Sequence, residues 1–402
     1  MSKLNKLIQT LCPNGVPFVE LGTIAKGEKE RNKGEQCNLA FSITKGGLVK
    51  TSDYFKDATV TSEDTSGYKI VRKNWFVYSP SRIDVGSINY LRDEETVIVS
   101  PLNVVFSISE DKILPQYLLY FLQSRSGTWQ ILTKREGIEG TGRKLLPFER
   151  FSTIILPLPP IEIQREVVKI LDNFENLISE LTAELTARKK QYEYYRKRLL
   201  TFDNSVPLKT INDVCSKVSS GGTPSTSHSE YYNGTIPWLR TQEVDWRDIY
   251  DTDVKITQQG MDNSSAKYVP QNCVIVAMYG ATAAKVAINK IPLTTNQACC
   301  NLEIDSEQAN YRYVFYWLCS EYENLKALGQ GSQSNINAGI VKSYPIPVPS
   351  LDIQNEIVNL LDKFDVLCSD RTCGLPAEIE ARQKQYEHYR DKLLTFKEVG
   401  KC

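Results

Sequence analysis

The sequence predicts an α+β chain: two similar mixed α/β domains separated by an antiparallel pair of long helices, an internal pseudo-twofold repeat. Three observations predict it. Residues 188–202 (RKKQYEYYRKRLLTF) and 382–396 (RQKQYEHYRDKLLTF) are identical at eleven of fifteen positions. Apolar residues in and before each of these blocks recur in alternating steps of four and three, a heptad seam. The stretches between hold short β-branched and aromatic runs punctuated by Gly, Pro, Ser and Asn, the pattern of strands and turns.

Each element follows in chain order. In residues 1–158, Asn74–Ser79, Thr96–Ser100 and Val104–Ile108 read as strands, and Pro115–Ser124 has the length and apolar face of a helix. Residues 159–202 read as one long helix whose seam is Val167, Leu171, Phe174, Ile178, Leu181, Leu185, Tyr192, Tyr195, Leu199 and Phe202, with Arg188 at the one gap. The 36 residues from 167 to 202 would span roughly 54 Å. Residues 203–348 repeat the globule, with Cys273–Met278 as a strand and Asn310–Ser320 as a helix. Residues 349–402 repeat the seam at Ile357, Leu361, Phe364, Cys368, Ile379, Tyr386, Tyr389, Leu393 and Phe396. Gly374-Leu375-Pro376 predicts a break there, because proline cannot continue a helix and glycine favours its end. Antiparallel copies of one helix relate their attached domains by a half-turn, a C2 dimer within one chain. Pro159, Ile163, Gln164, Glu166, Leu171, Asp172 and Phe174 recur 190 residues later, and so does Val16-Pro17 at Val206-Pro207.

Composition narrows the function. The chain has 402 residues, 48 basic and 48 acidic, so its net charge is zero. That excludes a strongly basic nucleic-acid coat and an acidic tail protein, though not a DNA binder that works with partners. Ten cysteines are scattered without a C-x-x-C pair, and only His228 and His388 are present, so no metal and no cofactor are expected. The N-terminus lacks the apolar core of a signal peptide, and no apolar run approaches a membrane span, so a cytoplasmic protein with reduced thiols is expected. Gly22 to Gly27 has the glycine spacing of a phosphate loop, but Glu28 stands where lysine is required. Two distant histidines leave little material for an acid–base triad. Glu110-Asp111-Lys112 fits a nuclease E-x-K only as a chance match in a solvated turn. No catalytic residue is expected; the chain positions something.

These residues resemble the specificity (S) subunit of type I restriction-modification enzymes along essentially the whole length. The carriers are the Pro159-Pro160 and Pro349-Ser350 turns leading into Ile163-Gln164-x-Glu166 and Ile353-Gln354-x-Glu356, and the two helix ends quoted above. Gly221-Gly222-Thr223-Pro224-Ser225, Ile236-Pro237-Trp238 and Thr295-Asn296-Gln297 also resemble the family's second recognition domain, whereas the first block lacks the Gly-Gly-Thr-Pro loop. The resemblance implies target-recognition domains at 1–158 and 203–348 and conserved helices at 159–202 and 349–402. It implies double-stranded DNA as ligand, two methyltransferase (M) subunits as partners, restriction (R) subunits joining them, and catalysis by those partners.

Residues 1–158 hold 21 basic and 17 acidic side chains, and residues 203–350 hold 11 and 14, so attraction to phosphate is modest. Base reading needs donors and acceptors on protruding loops. Candidates are Lys45, Ser79, Ser81, Arg82, Asn89, Arg143 and Lys144 in the first domain. In the second they are Thr223, Ser225, Arg240, Thr241, Gln242, Tyr279, Thr282, Lys285, Gln333 and Ser334. Gln164 and Gln354 read either as docking points for M subunits or as local caps. The paired tyrosines could stack on bases, but their heptad positions favour the seam. Two other function classes are weighed: a self-contained methyltransferase or nuclease component, disfavoured by the missing motifs, and a coiled-coil scaffold without DNA, disfavoured by the two loop-rich globules.

Overall fold

The computed structural model describes residues 3–34, 36–55, 64–137, 144–329, 335–369 and 372–400. The chain forms two compact units, Met1–Thr182 with Glu378–Cys402, and Ala183–Ala377. Their limits cut through the helical segments, so each unit contains a globule and parts of both helical repeats.

In the first unit one sheet orders its strands Ala25–Glu28, Val104–Ile108, Phe76–Tyr78 and Ile88–Tyr90, all antiparallel. A second sheet orders Gly47–Lys50, Ala40–Thr44, Thr96–Val99 and Lys69–Arg72, with its middle pair parallel. The second unit has the same plan. Cys215–Ser220, Cys299–Ile304, Val274–Ala277 and Val286–Asn289 form one sheet, extended by Asp248–Ile249. Lys255–Ile256, Tyr232–Leu239, Leu293–Thr295 and Tyr268–Val269 form the other, again with a parallel middle pair. A small ladder closes each globule: Phe18–Glu20 on Ile155–Pro157, and Leu208–Thr210 on Pro345–Pro347. The two ladders are 190 residues apart at every position, the spacing of the sequence repeat.

The inner strands of the second unit's larger sheet are short and buried on both faces, which suits their Val and Ile content: Val274–Ala277 and Val286–Asn289 are buried throughout. Pro115–Gln123 and Tyr311–Ser320 are the expected helices. The central helix runs unbroken from Ile161 to Leu199, 39 residues, or about 58 Å. Glu162 in its first turn and Arg196, Lys197 and Arg198 in its last complement the helix dipole. The second repeat is broken, into Leu351–Ser369 and Leu375–Leu393. Pro376 lies in the first turn of the last helix, where its missing N–H costs nothing.

Within each unit the helices pair across the seam. In the first, Phe174 stacks on Tyr389 at 5.4 Å, Tyr386 donates to Glu175 at 2.8 Å, and Ile178, Leu393 and Phe396 pack on a core that contains Leu171, Tyr386 and Leu394. In the second, Tyr192 and Tyr195 lie 6.0 and 5.8 Å from Phe364, and Leu199 packs on a core that contains Leu361. Tyr389 keeps its place in the seam through Phe174 although it is 41% exposed. Leu181, Leu185 and Ile379 are half-buried.

Candidate nucleic-acid interface

Loops can present side chains to DNA only from a rigid frame, and the frame's fastenings occur in pairs. Gln164 and Gln354 are both fully buried. The Gln164 carbonyl accepts from Leu114 N at 2.9 Å, and its amide donates to Lys112 O and Pro159 O, both at 2.8 Å. Gln354 repeats this with Asn310 N at 2.9 Å, Gln308 O at 3.4 Å and Pro349 O at 2.9 Å. The docking expectation for these residues is therefore corrected. Every polar atom of each side chain faces inward, fastening a helix start to the loop before its domain helix.

The domain helices are held the same way. Tyr117 donates to Pro157 O at 3.2 Å and Tyr313 to Pro347 O at 2.8 Å. Tyr120 donates to Asp172 at 2.6 Å and Tyr316 to Asp362 at 2.5 Å. Burial pushes all four phenols well above their usual pKa, aided at Tyr120 and Tyr316 by the aspartates, so they stay neutral donors. Sequence reasoning missed this set, although a Y-x-x-Y step in each domain helix was its visible trace.

In the first unit the candidate readers gather in one place. Lys45 is exposed in the 44–47 turn. A Cβ on Gly47, whose φ is +114°, would lie 2.7 Å from Asn89 Nδ2, so that turn sits directly against Asn89. Gly86 approaches Lys45 across the next turn. Ser81 and Arg82 are exposed, and Ser79 and Ser81 lie 3.4 Å apart. Leu146 N donates to Pro80 O at 3.1 Å, which brings Lys144 beside them. Arg143 lies outside the described residues.

In the second unit the readers form a chain of braced turns. Gly221 touches the Thr295 backbone so closely that a Cβ would fall 1.9 Å from its oxygen. Thr223 donates to Gln297, and Ser225 bonds Ser227 at 2.7 Å. Asn296 N donates to Leu239 O at 3.0 Å, which joins this loop to the 240–243 turn. Arg240 is paired with Glu243 at 3.5 Å and Asp253 at 3.8 Å. The Gln242 carbonyl, in the amide orientation that satisfies both groups, accepts from it at 2.9 and 3.1 Å. Gln242, Tyr279, Thr223 and Ser225 are exposed, and Thr241 is half-buried. Two expectations change. The Thr282 hydroxyl donates to Thr241 O at 2.9 Å, and Lys285 is 19% exposed, paired with Asp245 at 2.7 Å over the Trp246 ring. Both groups are engaged within the unit and act as braces. Gln333 and Ser334 lie outside the described residues.

Among the described residues no group of three or more His, Cys, Asp or Glu is placed to hold a metal ion, and no helix is long and apolar enough to cross a membrane. The family model described as type I restriction modification DNA specificity domain matches twice, over residues 16–188 and 206–381. The chain belongs to this family of type I specificity subunits. It is 36% identical over 306 residues to a type I restriction enzyme specificity subunit from Escherichia coli, covering 74% of each chain. A putative specificity subunit from Haemophilus influenzae is 31% identical over 281 residues, covering 64% of this chain and 68% of that one. A solved chain from a study of assembly and conformational transition in a type I restriction-modification system matches with TM-score 0.60 over 95% of this chain and 98% of that one, at 15% identity. The HsdS subunit of Thermoanaerobacter tengcongensis matches with TM-score 0.54 over 96% and 97%, also at 15% identity. These two likenesses speak for the fold. The chain's function is that of the family: DNA specificity in a type I restriction-modification system.

Proposed function

We propose that the two units divide the work: residues 1–158 read one half of a bipartite target and 203–348 read the other. Residues 159–202 and 349–402 serve as the scaffold. Two M subunits bind it, R subunits join through them, and all catalysis belongs to those partners. The observation that carries this reading is the repeated two-sheet plan with its paired fastenings, on which loops of unlike sequence are mounted. A frame kept twice with unlike loops suits two different DNA sequences read in the same manner. Lys45, Ser79, Ser81, Arg82, Asn89 and Lys144 are the proposed readers of the first unit. Thr223, Ser225, Arg240, Thr241, Gln242 and Tyr279 are those of the second. The near-neutral charge of residues 1–158 and of residues 203–350 means that phosphate attraction must come largely from the M subunits.

The test is a block exchange. Residues 1–158 are replaced by those of another specificity subunit, the chain is assembled with its M subunits, and methylated sites are mapped. One half-site should change and the other persist. A change in both halves together, or in neither, overturns the division.

A further inference from the structure

Arg135 lies between the helix Arg125–Lys134 and the hairpin Glu136–Gly137/Lys144–Leu145. Its guanidinium donates to Ser81 O at 3.1 Å and to Lys144 O at 3.0 Å, and pairs with Asp84 at 2.7 Å. The side chain is 11% exposed, so it offers almost nothing to solvent or phosphate. Its acceptors are the backbone of two proposed base readers and the carboxylate of the turn that displays Ser81 and Arg82. We propose that Arg135 is a positioning residue for base reading: it clamps the 79–86 turn to the hairpin root so that Ser81, Arg82 and Lys144 share one fixed geometry. This rests on the reading of the first unit as a recognition domain.

The physical need is plain. Base edges are told apart by donors and acceptors placed to within about half an ångström. A turn that wanders must also be ordered on binding, which lowers affinity for the right sequence. A buried ion pair is weak support for overall stability, because desolvation offsets much of its attraction. Three partners on two loops make geometric fixation the better account. The second unit pins the corresponding turn by other means. Asn335 accepts from Gly280 N at 3.1 Å, and Ile336 N donates to Met278 O at 2.9 Å. Gly280 holds φ at +79°, a conformation that favours glycine. The turn after the matching strand is thus fixed in both units although the fixing residues differ.

The experiment uses the chain assembled with its M subunits. Methylation rates are measured on duplexes with the cognate target or with single substitutions in either half-site, over a range of salt. Arg135→Gln should lower discrimination at positions of one half-site by about tenfold and leave the other half-site unchanged. The salt slope should not move, because Asp84 already neutralises the guanidinium; a phosphate contact would instead weaken all sequences equally and reduce that slope by about one. Arg135→Lys keeps the charge opposite Asp84 and should recover part of the discrimination. If Arg135→Gln does not fold, Arg135→Lys and Asp84→Asn serve, each with an intermediate loss expected. Unchanged discrimination in folded variants, or a uniform loss with a reduced slope, overturns the proposal. Arg82→Ala separates the two layers. If it changes a half-site while Arg135→Gln does not, the clamp fails and the recognition reading stands. If neither does, and exchange of residues 1–158 also leaves both half-sites intact, the recognition reading itself has failed, and the clamp with it.

Discussion

Replacing Gln164 with Met decides whether the repeated glutamine fastens a helix to its domain or meets a partner. Met is close in length and volume, so the change removes two polar groups and leaves packing nearly intact. Leu114 N then loses its acceptor, and the carbonyls of Lys112 and Pro159 lose their donor, at a position without solvent. An orphaned buried group costs about 1–3 kcal/mol, and carbonyls lie towards the low end, so the total is about 3 kcal/mol. In a unit of this size each kcal/mol lowers Tm by about 2–4 °C, so the first unit should melt about 9 °C earlier. Gln354→Met is the internal comparison. Its bond to Gln308 O is 3.4 Å, so the second unit should lose less. Calorimetry of the pure chain reads both values, and sedimentation with M subunits reads assembly at a temperature where the variant is folded. A Tm within about 2 °C of the parent together with weakened M binding would refute the inward-facing account.

Two further outcomes follow from the second unit and from the last helix. Burial pushes the Cys273 and Cys300 thiols up to about 12, above an unfolded value of about 8.5. Their stabilising contribution is complete below the unfolded value and is lost as pH rises towards 12, at about 1.4 kcal/mol per pH unit for each thiol. Urea melts between pH 8 and 11 should show this slope, and Cys300→Ala should flatten it; an equal slope in the variant rules the cause out. A chain ending at residue 377 lacks Tyr386 and Leu394 of the first core. It should keep a protease-resistant second unit and lose the first, whereas two intact units would contradict the helix assignment.

The sequence revealed those features that rest on periodicity. The seam, the break at Gly374-Leu375-Pro376 and the strands at Phe76–Tyr78 and Val274–Ala277 all follow from spacing or from local backbone chemistry. Fastenings between residues about fifty positions apart left at most a repeated residue type, as with the Y-x-x-Y steps, and never the identity of the partner. Gln164 and Lys112 are related only by the fold, and a repeated polar residue near a helix start reads equally well as a surface contact. The candidate site was legible as residue types on turns. Which of those groups are already engaged was not, because Lys285 and Thr282 look like any other loop donor until Asp245 and Thr241 are brought to them. Arg135 had no signal at all, since Ser81 and Asp84 lie more than fifty residues away.

The exchange of helices explains how the frame stays constant while the loops vary. The first globule packs on the start of the central helix and on the last helix, and the second packs on the end of the central helix and on Leu351–Ser369. Where the chain runs on from Phe202 to Val206 in the second unit, the first unit makes the same join without a covalent link. Val16 N donates to Lys397 O at 2.8 Å, and Val399 N donates to Val16 O at 3.1 Å. A Cβ on Gly15, whose φ is +110°, would fall 2.6 Å from Lys397 O, so glycine is required at that approach. Gly15 and Val16 therefore join Lys397–Val399 in one frame through backbone contacts. Backbone bonds, buried glutamines and tyrosine–aspartate pairs do not depend on the sequence of any protruding loop. If Arg82 and Gln242 are readers as proposed, a substitution at either alters what is read while every fastening stays in place, which is the physical condition for changing a DNA target without rebuilding the protein.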